Sequence, residues 1–139
     1  MKAWKLTTQD NTTHNGFRWE VGRAAMSLGT GELCGPGWLH FYQHPLLAVL
    51  LNPIHANIQT PKLWEAVAEG EFKYDRGLKA GCTKLTLIRE VPLPVVTTKQ
   101  RVAFAKGCAE WASRAARGPR QTAAEILAAL SHIAEEAVK

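Results

Sequence analysis

The chain has 139 residues, 46% of them hydrophobic, which excludes a disordered polymer and fits one domain able to bury a core. A formal net charge of +5 favours acidic partners, and because the cations come singly or in pairs it excludes a polybasic tail. Three widely spaced cysteines, Cys34, Cys82 and Cys108, exclude a disulfide framework and point to reduced thiols.

"KAWKLT" (2–7) reads as a short strand, with Ala3, Lys5 and Thr7 on one side and Trp4 and Leu6 on the other. "QDNTTHNG" (9–16) is a turn cluster, because Asn15-Gly16 tolerates positive φ. "FRWEV" (17–21) alternates and is expected to pair back on the first strand. Glycines then punctuate a stretch with a very short strand at "ELC" (32–34). "WLHFY" (38–42) follows as a strand, with Leu39 and Phe41 facing the thicker core and Trp38, His40 and Tyr42 sharing the other face. Pro45 suits a first helical position, so "PLLAVLL" (45–51) is expected as a short buried helix ended by Asn52-Pro53.

"KLWEAVAEGEFKYD" (62–75) reads as a long strand bulged at Gly70, Trp64, Ala66 and Ala68 alternating with Leu63, Glu65 and Val67. "TKLTLIREV" (83–91) is another strand, with Leu85, Leu87 and Arg89 on one face. The last third is helical. Val102, Ala105, Ala109, Ala112 and Ala116 recur at helical spacing, with Phe104 and Trp111 beside that stripe, and Gly118-Pro119 stops the helix. "TAAE" (122–125) is a capping box for a second helix carrying Ile126, Leu127, Leu130, Ile133 and Ala134. The expected fold is therefore α+β: an antiparallel or mixed sheet of about five or six strands, one short helix, and a C-terminal two-helix hairpin. We read one domain over 1–139, a sheet-rich core to 96 and the hairpin from 97.

The segments "KAWK…NGFRWEVG" (2–22), "ELCGPGWLHFYQHPLLAVL" (32–50) and "WEAVAEGEFKYD…CTKLTLIREV" (64–91) together resemble a small phage and prophage domain family of unknown function. That family shows a "KAYK"-like first strand, "GFxYExG", "LCxxGFHFC…PLD" and "VEAxGEV". The resemblance covers 1–91 and leaves the tail outside. Here "GWLHFY" carries an extra residue, the cysteine after the second aromatic is missing, and Cys34 keeps the earlier position. The resemblance implies a mobile-element origin and an α+β fold.

Candidate sites divide into three classes. His40 and His44, with Cys34 and His55, are of zinc-ligating types, but a strand-to-turn spacing of four does not aim both histidines at one point, so we expect no metal: one histidine is hydrogen-bonded in the core and one caps the helix. Of the thiols, Cys34 beside His40 is the least implausible nucleophile, while Cys108 is expected in the core. No GxSxG, HExxH or phosphate-cradling loop occurs, and "GTGELCGPG" (29–37) reads as a turn. A weaker similarity to ADP-ribosyltransferase-like folds would use an NAD-dependent cleft with Lys5, Tyr42 and Glu69 or Glu71. Lys99, Arg101, Lys106, Arg114, Arg117 and Arg120 lie along or after the first tail helix; those at its C-terminus also suit the helix dipole.

The functional expectation is a non-enzymatic, cofactor-free cytoplasmic protein of phage type. It would inhibit a host defence system, as an anti-CRISPR does, by binding a protein or ribonucleoprotein complex such as a CRISPR effector. Lys99, Lys106, Arg114, Arg117 and Arg120 would make the contact. The alternatives are the transferase and a module that binds nucleic acid directly. The longest apolar run is far too short to cross a bilayer.

Overall fold

The computed structural model describes residues 1–75 and 78–115. Its elements are β1 (Lys2–Thr7), β2 (Ala24–Met26), β3 (Leu39–Phe41), α1 (Pro45–His55), β4 (Lys62–Asp75), β5 (Lys79–Val91) and α2 (Thr98–Ala115). All five strands pair antiparallel, in the order β1-β4-β5-β2 with β3 also on β5, and the fold is α+β. The second helix of the expected hairpin lies outside the described residues.

Two long strands organise the sheet. β4 and β5 form a hairpin, β1 adds to β4, and β2 and β3 share the far edge of β5, at Lys84–Thr86 and Ala80–Cys82 respectively. One residue past β3, Tyr42 exchanges both backbone hydrogen bonds with Trp4 of β1, each 2.9 Å long. That pair closes a hydrogen-bonded ring, β1–β4–β5–β3–β1. A ring this narrow needs small inward side chains. Ala3, Ala66, Ala68, Ala80 and Cys82 supply them, and Phe41, Trp19, Trp64, Leu85 and Leu87 fill the remaining space.

Two bulges bend the hairpin into that ring. Near its open end Glu65 faces Arg89 while Ala66 faces Leu87, so Ile88 is an extra residue on β5. This corrects the expected face of Arg89: the bulge turns it outward, where it meets Glu65 at 2.6 Å. The second irregularity lies between Glu69 and Phe72, at Gly70, as expected. Across it the inward positions of β5 switch from Leu85 and Leu87 to Cys82 and Ala80.

The outer wall of the ring carries a second core. Leu6, Tyr42 and Leu63 point outward and are covered by Leu47, Ala48, Leu50 and Leu51 of α1 and by Phe104 of α2. Pro45 opens α1, and His44 Nδ1 caps it by accepting from the Leu46 N–H at 3.2 Å. The helix runs through Pro53 instead of ending there, because a proline in the last turn forfeits only the bond it would have donated to Val49.

Two expected strands are absent. Phe17–Val21 makes only a single bridge, Arg18 to Thr12. Asn11 (φ 58), Asn15 (φ 59) and Gly16 (φ 72) coil the preceding loop, so Trp19 bonds Asn11 instead of reaching β1. "ELC" is a turn closed by the Gly35 N–H on the Glu32 carbonyl.

One buried polar link ties the interior together. Thr7 is fully buried, and its Oγ1 accepts from Trp64 Nε1 at 2.9 Å while donating to the Thr8 carbonyl at 2.9 Å. Thr7→Val keeps the shape and strands the indole N–H, so it should destabilise by about 1–3 kcal/mol. Thr7→Ser should restore most of that, as read by urea unfolding.

Candidate functional site

Chemistry-bearing side chains gather where β3 runs into α1, beside the tip of the β4–β5 hairpin. The Tyr42 hydroxyl lies 2.7 Å from His55 Nδ1, and the two rings stack 10° from parallel. Burial raises the Tyr42 pKa well above its ordinary value, so it stays a hydroxyl. Burial, then Lys79, lowers the His55 pKa, with Asp75 opposing, so the imidazole is neutral near pH 7. The pair is therefore a phenol on a neutral imidazole, not an activated phenolate.

His40 stands behind it. Its Nε2 meets the Leu33 carbonyl, which can only accept, so Nε2 carries the proton. Burial lowers the His40 pKa, the bond to Leu33 opposes it, and Lys5, Lys79 and His55 lower it further. Cys34 is exposed, with Lys79 Nζ 3.4 Å from its sulfur. Burial drives the interior thiol, Cys82, up to about 11 and also raises Cys108. Among the described residues no three metal-ligating side chains converge.

The transferase residues do not share one cleft. Lys5 leaves β1 on the inner side and donates to the His40 carbonyl at 2.6 Å. Tyr42 leaves the ring on the outer side, under α1. Glu69 sits on the exposed wall, paired with Lys84 at 3.1 Å, and Glu71 is exposed next to the bulge.

The partner-binding cations fare differently. Phe104, Gly107, Cys108 and Trp111 turn toward the protein, so the buried stripe of α2 is theirs and not the expected one of Val102 and the alanines. Large side chains displace small ones from a docking seam because they remove more apolar area from water. Val102, Ala105, Ala109 and Ala112 consequently face solvent, and Val102 is 50% exposed. Lys99 and Lys106, seven residues apart, fall on one exposed line, separated by roughly 10 Å of helix rise. Arg114 lies beside that line, 3.8 Å from Glu110, and Arg101 stands on the other side of the alanines. Arg117 and Arg120 lie outside the described residues.

The Tyr42–His55 contact had no signature in the sequence, because it joins a strand end to the far end of an eleven-residue helix. The Lys79–Cys34 contact likewise joins the start of β5 to a turn 45 residues earlier in the chain.

Residues 1–99 match the model of a family described as a domain of unknown function, DUF7666. The chain belongs to that family. The DUF7666 match takes in the five strands and α1 and ends at the start of α2, somewhat beyond the 91 residues of the resemblance. No curated protein and no solved structure is similar enough to match the chain. No helix among the described residues is long and apolar enough to cross a membrane.

Proposed function

We propose that this DUF7666 protein acts by binding: a mobile-element product that inhibits a host defence complex, of the anti-CRISPR kind, by covering a protein or ribonucleoprotein surface with α2. The observation that carries the reading is the solvent face of α2. It sets a stripe of Val102, Ala105, Ala109 and Ala112 between Lys99 and Lys106 on one side and Arg101 on the other. Small apolar residues permit close approach, and flanking cations steer an acidic partner and fix its register. On the sheet, by contrast, Glu65 is paired with Lys2 and Arg89, and Glu69 with Lys84, so these two carboxylates add little net field.

The experiment is a pull-down with tagged protein from a lysate that contains a CRISPR effector, followed by affinity measurement on the captured complex. A Lys99→Glu, Lys106→Glu double variant should weaken binding by about tenfold or more and flatten its salt dependence. Capture that ignores both charge reversals would remove α2 from the interface. Modification of the target that requires NAD would move the protein to the transferase reading.

A further inference from the structure

The segment "NGFRWEVG" (15–22) forms no strand, and together with Gln9, Asp10 and Asn11 it lines a concavity on the surface. Two hollows adjoin, of about 500 and 280 Å³, and they share Arg18, Trp19 and Glu20. The larger alone falls within the range of ligand sites, roughly 300–1,000 Å³. We infer that this groove binds a nucleotide, a heteroaromatic base joined to a phosphate, either free or within a single strand.

Three features carry the assignment. Phe17 lines the smaller hollow, is 47% exposed, and stands at 71° to the Trp19 indole with centroids 5.0 Å apart, which leaves ring surface open for a stacked base. Arg18 lies on the ridge between the hollows, and among the described residues no ion pair engages it, so its guanidinium is free for phosphate. Asp10 and Asn11, in the larger hollow, present acceptors and an amide to sugar hydroxyls.

The surroundings support an anionic guest. Trp19 is 4% exposed and immobilised as the floor, its Nε1 donating to Thr13 Oγ1 at 2.9 Å and Lys5 Nζ lying 5.2 Å from its ring. Lys62 Nζ donates to Asn11 Oδ1 at 3.2 Å and adds a second positive charge at the larger hollow. Glu20 is paired with Arg23 through two exposed contacts, at 3.0 and 3.1 Å, so its charge is partly offset. The groove lies apart from α2, and its assignment stands independently of the α2 reading.

The test titrates the full chain with the four ribonucleoside monophosphates and, separately, with labelled single-stranded RNA and DNA hexamers. Binding is read by the assigned Trp19 indole N–H resonance and by anisotropy. A shift of that resonance is expected, with Phe17→Leu and Arg18→Gln each weakening binding about tenfold while the thermal midpoint is unchanged. Phe17→Leu keeps apolar bulk against Trp19 and removes only the stacking face. Saturation by monophosphates assigns a free nucleotide, and saturation by hexamers alone assigns a single strand. The inference is overturned if no arm moves the Trp19 resonance, if both variants bind like the parent, or if only the Lys99→Glu, Lys106→Glu variant loses binding.

Discussion

Gly70→Ala should destabilise the protein by about 3 kcal/mol, among the largest effects expected of any single methyl group added to this chain. Gly70 has φ +85, and a Cβ there would lie 2.1 Å from Thr83 Oγ1. That oxygen also accepts the Glu71 N–H at 2.9 Å, which pins the bulge. The substitution therefore strains the backbone by about 1–2 kcal/mol and drives Thr83 off its hydrogen bond, at about 1 kcal/mol more. The two contributions are separable. In a Thr83→Ala background the clash is gone and only the conformational strain remains, so the cost of Gly70→Ala should fall by about a third. Urea unfolding of the four proteins measures the coupling. Strict additivity would mean that Thr83 does not hold the bulge.

The bulge also explains how much of the fold was legible. Alternation placed Trp64, Ala66 and Ala68 opposite Leu63, Glu65 and Val67, and both sets occur on those faces, because a period of two is enforced wherever each face meets its own environment. Gly70 announced its bulge, since positive φ needs glycine. Ile88 did not announce the other one. Any residue can be the extra one there, so plain alternation puts Arg89 on the wrong face. Ring closure was hidden for a similar reason: it rests on one backbone pair, Trp4 with Tyr42, made of groups that every residue carries.

The sites were legible in proportion to how local they are. The His44 cap and the Pro45 start are matters of two neighbouring residues. The α2 face depended on which residues win the docking seam. There the bulk of Phe104 and Trp111 outweighs the regular alanine spacing. The groove over Trp19 was the least readable. Its residues alternate like a strand, and only the positive-φ loop before them, at Asn11 and Asn15, diverts them from the sheet.

Lys5→Met should change the sign of its effect with pH. Lys5 sits beneath Trp19 with its ammonium on the His40 carbonyl, and burial lowers its pKa from 10.5 to about 8, the Cys82 thiol opposing and Lys79 adding to the shift. The unfolded chain keeps this proton up to 10.5 while the folded chain releases it above about 8. Between those values the unfolded state binds more protons, so stability rises with pH; below about 8 both states are charged and the whole penalty remains. At about 1.4 kcal/mol per pH unit the window is worth on the order of 3 kcal/mol, and part of the side chain reaches solvent, which reduces it to about 2. Methionine escapes that penalty but abandons the His40 carbonyl, at about 1 kcal/mol. Lys5→Met should therefore be about 1 kcal/mol more stable than the parent at about pH 7, and about 1 kcal/mol less stable at about pH 10, where the neutral amine still donates. Cys82, with its pKa raised from 9.0 to about 11, titrates in the opposite sense over much of the same range, so the quantity to read is the difference between the two proteins at each pH. A difference that stays constant from about pH 7 to about pH 10 would mean that the Lys5 ammonium is hydrated in the folded protein.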